Sequence, residues 1–525
     1  MGEGTEMLNL GRFISRAASY WPMQEALVCG PRRWSYAELE ERTNRLASAL
    51  LRRGVRDGAA VATFAANRAE LVEVEVALYK AGLLRVPINA RLGGEEAAHI
   101  LTDADVQVLF SDAAHVETAL TAVRTTGRDI PVVVFDDHVP GTVPFADLLD
   151  GGDTAPVAID VEESLPCVLN FTSGSTGKLK AAVQTTGNRL ANMRKRLMAP
   201  VGSNSTEDRY LVTGPITHAS GMGVLASLSR GTTIVVMPAF TAVGFLELIE
   251  QERVTATFLV PTMLNMVLAV PGARDTDLSS LRSVRVGGAP VSPQRLKEAV
   301  ELFGPVVFQG YGQGETTGGI TLLTAEDVVR GITSDPDLLL SCGRALFDTE
   351  LRVVDDEFRP VPPGTTGELV VRGPDCVDAY WNEPALSAET FRDGWVLTGD
   401  IAYLREDGYL FIVDRKKDMI ISGGFNIYCT EVEAAVYEHP AVAEACVVGV
   451  PDEKWGEAVK AVVVPKPGAE LDTAELIAFC ADRLDSLKKP RSVDVVDSLP
   501  VNRNGKIDRR AVRAPYWASS DRAVN

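Results

Sequence analysis

Two segments rich in glycine and hydroxyl groups hold the residues best suited to chemistry. The first, Thr172-Ser173-Gly174-Ser175-Thr176-Gly177-Lys178-Leu179-Lys180, follows an apolar run from Leu165 to Phe171. Glycine permits positive φ and close backbone approach, hydroxyls hydrogen-bond, and lysines supply charge, so such a loop suits a polyphosphate. It is not a Walker A loop, which needs glycine five residues before its Gly-Lys pair and Ser or Thr after it. Here Thr172 and Leu179 take those places. The competing reading is a polar interdomain linker, although linkers seldom follow a buried strand. The second segment, Gln309-Gly310-Tyr311-Gly312-Gln313-Gly314-Glu315-Thr316-Thr317, follows the apolar run Val306 to Phe308. Its glycines let a flat ring lie against the backbone, and the Glu315 carboxylate suits Mg²⁺ on phosphates. A glycine-rich hairpin turn gives much the same string, so both readings stand.

The elements that must position these loops follow a βαβ rhythm. Short apolar runs (Leu165 to Phe171, Thr232 to Met237, Thr255 to Val260, Ser283 to Val286) alternate with the helical patterns Phe245 to Glu252 and Pro293 to Phe303. Ser292 before Pro293 is a helix start, with serine capping free amides and proline losing nothing at the first helical position. After about Pro360 the texture becomes turn-rich and β-like, which predicts a small β subdomain. A charged stretch, Asp414 to Asp418, precedes an α+β pattern in which Thr430 and Glu433 read as a capping box. The expected fold is α/β: a large N-terminal domain of layered sheets with the β subdomain, residues 1–416, then a small mobile α+β domain, residues 417–525.

At 525 residues the chain exceeds the size of one hydrophobic core, and with 46% hydrophobic and 23% charged residues it reads as globular. A net charge of −19 argues against general nucleic-acid binding, so any cationic nucleotide site must be local. Seven cysteines without a CxxC pair read as neither a disulfide framework nor a zinc site. No secretory signal, lipidation motif or apolar run of membrane-spanning length is evident, so a cytoplasmic protein without integral membrane contact is expected.

Four further segments complete an ordered series: Gly287-Gly288-Ala289-Pro290, Trp395 to Asp400 (WVLTGD), Asp414 to Asn426 (DRKKDMIISGGFN) and Pro500 to Lys506 (PVNRNGK). From about Tyr36 to Arg510 the chain resembles the adenylate-forming superfamily of acyl-CoA synthetases, nonribosomal-peptide adenylation domains and luciferases. The resemblance implies ATP, Mg²⁺ and coenzyme A as cofactor and co-substrates. It implies that Thr172, Ser173, Gly174, Thr176, Gly177 and Lys180 cradle the β- and γ-phosphates. Glu315 would ligate Mg²⁺, Thr316 would contact the α-phosphate, and Gly288, Ala289, Pro290 and Tyr311 would enclose adenine. Asp400 and Arg415 would bind the ribose, and Lys506 would bridge the acyl carboxylate and α-phosphate. A cation between two reacting anions stabilises the transition state more than the separated ground state. Lys417 would be the hinge, and Gly423, Gly424 and Phe425 would line the pantetheine tunnel; a plain β-turn is the alternative there.

The acyl pocket expected from the same resemblance comprises His218, Ala219, Gly221, Met222, Val260, Gly287, Gly310 and Gly312, with His218 closing it. Ala219 stands where relatives acting on α-amino acids carry an aspartate, so an ammonium there would lack a partner. The segments Val260 to Met263, Gly287 to Ala289 and Phe308 to Gly312 hold no Arg or Lys. The expected substrate is an apolar monocarboxylic acid, aryl, alicyclic or fatty. Ala181, Gly314 and Phe425 depart from the commoner pattern without removing a charge the mechanism needs. The expected activity is an AMP-forming acid:CoA ligase. The rivals are an enzyme loading an acyl carrier protein and a non-catalytic nucleotide-binding scaffold. Both monomer and homodimer remain open.

Overall fold

The structure, a computed structural model, describes residues 7–56, 58–136, 139–173, 179–201, 204–501 and 507–518. It divides into two compact units, residues 1–351 with 371–397, and residues 352–370 with 398–525.

The first unit is built on two large sheets. The seven-stranded one runs Leu179–Thr185, Pro166–Ser173, Leu84–Ile88, Ala60–Phe64, Val108–Ser111, Val132–Val134, Val143–Pro144, and its neighbours are parallel except the first pair. The nine-stranded one runs Arg344–Ala345, Gly318–Leu323, Val307–Gln313, Ser283–Gly287, Ala256–Leu259, Arg209–Val212, Thr233–Val236, Glu25–Cys29, Arg32–Ser35. It is parallel through the middle and antiparallel at both edges. Parallel strands buried on both faces read as continuous apolar runs, which is why the βαβ rhythm was legible.

One core cluster joins Leu27, Ile234 and Val236 of the larger sheet to Val61, Val108 and Phe110 of the smaller through the helices Tyr36–Arg52 and Ala69–Ala81. Every residue of Ala69–Ala81 is buried, its acidic and basic ones included. Buried charge persists only when paired. Glu70 accepts from Arg32 and Arg68, Glu73 from Arg42, and Lys80 donates to Glu40. The far face of the smaller sheet packs Phe64, Val86 and Leu169 against the helices Gly94–Asp103 and Val116–Thr126.

The second unit holds an antiparallel sheet ordered Phe425–Ile427, Ile420–Ser422, Gly456–Pro465, Val442–Asp452, with Ser492–Val495 parallel to Gly456–Pro465. The helices Cys429–Tyr437 and Thr473–Ala481 cover one face through Val432, Val436, Leu476 and Cys480. A hairpin pairing Asp400 with Arg415 and Leu404 with Leu410 supplies β structure after Pro360, as expected.

Two helix starts can be compared. Ser292 accepts from the Arg295 amide at 3.4 Å, so that cap forms. The capping box at Thr430 and Glu433 does not. The helix begins two residues earlier than that cap requires, at Cys429, which places Thr430 in its first turn, with the hydroxyl donating to the Val413 carbonyl. Glu433 instead pairs with Arg509 at 2.6 Å.

Lys195 and Asp375 form an ion pair of 2.6 Å with side chains 2% and 0% exposed. Breaking a buried pair leaves an uncompensated charge and costs about 3–5 kcal/mol. Lys195→Met is therefore expected to lower unfolding free energy by about that much. Lys195→Met/Asp375→Leu should recover most of the loss in denaturant titrations; additive losses would contradict the pairing.

Candidate active site

The first loop is the connection of a hairpin, because Pro166–Ser173 and Leu179–Thr185 are antiparallel neighbours with Thr172 opposite Lys180. That rules out the interdomain-linker reading. Gly174, Thr176 and Gly177 lie outside the described residues, as do the Ser173 side chain and Lys506. The second loop is also a hairpin: Val307–Gln313 pairs with Gly318–Leu323, and a 3-10 turn, Gly314–Thr316, sits at the tip. The hairpin reading was therefore structurally right, and the tip still presents a carboxylate.

The two hairpins meet. A Cβ on Gly314 would lie 3.3 Å from Asn170 Nδ2 and 3.7 Å from Thr172 Cγ2. Lys180 Nζ stands 3.1 Å from Glu315 Oε1. A third segment completes the cluster. The Tyr380 hydroxyl donates to Glu315 Oε1 at 2.6 Å and accepts from Lys180, whose ammonium lies 4.0 Å from the Tyr380 ring centroid. Backbone bonds fix that segment: Val377 N donates to the Glu315 carbonyl, Val183 N to Ala379, and Trp381 N to Ala181.

Burial alone would raise the Glu315 pKa. The Lys180 charge and the Tyr380 hydrogen bond outweigh it and hold the carboxyl below its ordinary value. Burial, followed by the Glu315 charge, pushes the Tyr380 phenol well up, so it stays a donor. Both side-chain donors, Lys180 and Tyr380, use Oε1. An ionised carboxylate oriented through one oxygen fits a hard cation such as Mg²⁺. Tyr380 was not anticipated from sequence; its ordinary setting, Ala379-Tyr380-Trp381, gives no local signal.

Thr316 is fully buried, and its hydroxyl donates within the turn to the Gly318 carbonyl at 2.7 Å, with the Gln313 carbonyl also in reach at 3.0 Å. It holds the tip that presents Glu315. Gly288, at φ +84°, and Pro290 are exposed at the carboxyl end of Ser283–Gly287, and Ala289 and Tyr311 are partly so. The carboxyl ends of parallel strands are where open α/β sheets bind ligands.

Most of the expected acyl-pocket residues are contiguous. Gly287 and Gly310 are register partners, and a Cβ on Gly287 would lie 2.6 Å from the Gly310 oxygen. A Cβ on Gly288 would touch Val260, and one on Gly312 would collide with the Gly318 carbonyl. Met222 Cε approaches the Gly318 position from the turn Ala219–Gly223, in which Gly221 packs against the Ile216 carbonyl. His218 precedes that turn, its Nδ1 2.8 Å from the Thr217 hydroxyl, and Ala219 is exposed.

The remaining expected residues belong to the second unit. Asp400, 2% exposed, is paired with Arg415 Nε at 3.0 Å. Gly423 and Gly424, at φ +60° and +83°, form a two-residue hairpin turn between Ser422 and Phe425, and Phe425 is exposed. Both glycines meet the positive φ that such a turn requires. Lys417 lies in the turn between Leu410–Arg415 and Ile420–Ser422.

Comparison with known proteins places this arrangement. Residues 14–381 match the AMP-binding enzyme family, and residues 431–506 match the AMP-binding enzyme C-terminal domain. This chain belongs to the AMP-binding enzyme family. Feruloyl-CoA synthase of an Amycolatopsis species is 40% identical over 509 residues, 97% of this chain and 99% of that protein. Indoleacetate–CoA ligase of Aromatoleum aromaticum is 38% identical, covering 96% and 98%. Among solved structures, the amide bond synthetase McbA from Marinactinospora thermotolerans superposes with a TM-score of 0.88 at 31% identity, covering 97% and 100%. No helix among the described residues is long and apolar enough to cross a membrane.

Tyr380→Phe keeps the ring beside Lys180 and removes the hydrogen bond that favours ionised Glu315. The Glu315 pKa is expected to rise, moving the acid limb of the kcat/KM profile for adenylation to higher pH. An unchanged acid limb would show that Tyr380 only packs.

Proposed function

We propose that this member of the family is an AMP-forming acid:CoA ligase, activating a carboxylic acid with ATP as acyl-AMP and passing the acyl group to the coenzyme A thiol. The observation that carries the reading is the Glu315 carboxylate, kept ionised by Lys180 and Tyr380 where the two hairpins meet. Full-length similarity to two CoA ligases supports it.

Glu315 would hold Mg²⁺, which when bound would neutralise charge on the phosphates. Thr172, Ser173, Gly174, Thr176, Gly177 and Lys180 cradle the polyphosphate, while Thr316 keeps the tip of the second hairpin in register with it. Gly288, Ala289, Pro290 and Tyr311 enclose adenine. Asp400 accepts the ribose hydroxyls, as a carboxylate can accept two at once, and Arg415 orients it. Lys506 stands between the acyl carboxylate and the α-phosphate as they react, where a preorganised cation acts most strongly. The segment from Lys417 onward, residues 417–525, turns about Lys417 between the two half-reactions, and Gly423, Gly424 and Phe425 then admit the pantetheine arm. Ala219 leaves no partner for an α-ammonium, and Val260 and Met222 give the acid an apolar bed closed by His218.

The test is pyrophosphate release across a panel of carboxylic acids, with and without CoA, followed by mass detection of the thioester. Release with at least one acid, and thioester only when CoA is present, is expected. Lys506→Ala should cut release by at least about 100-fold, the scale of losing one preorganised charge contact. Undiminished release in that variant would remove the lysine from the mechanism. Transfer only to a phosphopantetheinyl carrier protein, or to an amine, would reassign the acceptor.

A further inference from the structure

Two arginines from outside the expected pocket segments flank the acyl site. Arg285 sits on the strand Ser283–Gly287, two residues before the pocket residue Gly287, so both occupy one face of the sheet. Strand register puts Phe258 and Phe308 beside Arg285, and a Cβ on Gly287 would lie 3.5 Å from Phe258 Cε2. Tyr210 faces the same side two strands away, since it pairs with Ala256, which pairs with Ser283. Arg196 comes from the helix Thr186–Met198, where its Nε donates to Asn192 Oδ1 at 3.1 Å. A Cβ on Gly318 would meet Asn192 Nδ2 at 3.3 Å, Arg196 NH2 at 3.5 Å and Met222 Cε at 3.5 Å, which ties Arg196 to the pocket wall.

Burial first, and then the Arg285 charge, push Arg196 down to about 10. Arg285 is likewise lowered by burial. Neighbouring buried cations are partnered: Lys195 with Asp375, and Arg189 and Arg85 with Glu75. Among the described residues no carboxylate lies within ion-pair distance of Arg196 or Arg285. Asp375, the acid nearest in influence on Arg196, is already held by Lys195. The Tyr210 hydroxyl donates to the Ser220 carbonyl at 2.9 Å, which leaves its oxygen to accept, not to neutralise. Both arginines are half-buried, and a partly desolvated planar fork with no carboxylate partner suits an oxygen acceptor.

We propose that Arg196 and Arg285 determine specificity by receiving an oxygen-bearing group at the distal end of the acid substrate, the end remote from the carboxylate that is activated. The group is a hydrogen-bond acceptor on an otherwise apolar body, whether an aryl hydroxyl or ether oxygen or a charged oxygen. This rests on the ligase reading and narrows its substrate class. The apolar bed around Phe258, Phe308 and Met222 receives the body, and the arginines receive its tip.

The test compares matched acids of equal length, one ending in an apolar group, one in a hydroxyl or methoxy group and one in a carboxylate, by kcat/KM for pyrophosphate release. The wild-type protein should favour an oxygen-bearing acid over its apolar isostere by at least about 100-fold, because a site built for hydrogen bonding rejects analogues that leave its donors unpaired. Arg285→Met and Arg196→Met should shrink that ratio at least about 10-fold, chiefly through KM. Arg285→Lys should restore part of it. Which oxygen-bearing acid wins distinguishes a neutral from a charged tip. Equal use of all three acids by the wild-type protein, or a ratio unmoved in soluble, ATP-binding variants, overturns the proposal and leaves the ligase reading intact. No pyrophosphate release with any acid overturns both.

Discussion

A carboxylate that must stay ionised while largely buried is the constraint around which the first unit is arranged. Left alone, Glu315 would take up a proton under the cost of desolvation. Lys180 and Tyr380 prevent this, and the three groups arrive on different pieces of chain: Lys180 on the second strand of the first hairpin, Glu315 at the tip of the second, and Tyr380 on the 377–381 segment clamped to both by backbone hydrogen bonds. Any slip in one of these segments would strand a buried charge. One electrostatic requirement therefore fixes the mutual placement of two hairpins that belong to different sheets.

The same unit shows how a chain of net charge −19 can gather anions. Most of its buried cations are matched by carboxylates from neighbouring helices and strands, as along Ala69–Ala81, and so contribute packing and register without attracting ligands. Among the described residues around the two hairpins that matching is looser at Lys180, whose partner is itself suited to a metal, and at Arg196 and Arg285, which pair with no carboxylate. Local imbalance, and not overall charge, marks the places where a substrate acts as the missing partner.

What could be read without coordinates was what is local. Glycine, hydroxyl and lysine at fixed spacing announced the first loop, and Glu315 lay inside its own motif; parallel strands buried on both faces declared themselves as apolar runs. Tyr380 escaped because its partners are 65 and 200 residues away. Arg196 escaped because a charge on an amphipathic helix reads as its wet face, and Arg285 because its neighbours Val284 and Val286 gave the strand signal, not its own side chain. Thr430 and Glu433 matched a capping pattern by spacing, yet the helix started two residues earlier and tertiary partners claimed both side chains. Spacing records which contacts are possible, and the packed core decides which are made.

In the first half-reaction the acid's own carboxylate oxygen attacks the α-phosphorus. The reaction forms one P–O bond, expels pyrophosphate, and then breaks the acyl C–O bond when the thiolate attacks. An acid labelled with ¹⁸O in its carboxylate, incubated with the protein, ATP, Mg²⁺ and CoA, is therefore expected to yield AMP carrying a single ¹⁸O atom. Unlabelled AMP, or label appearing in inorganic phosphate alongside ADP, would contradict the account.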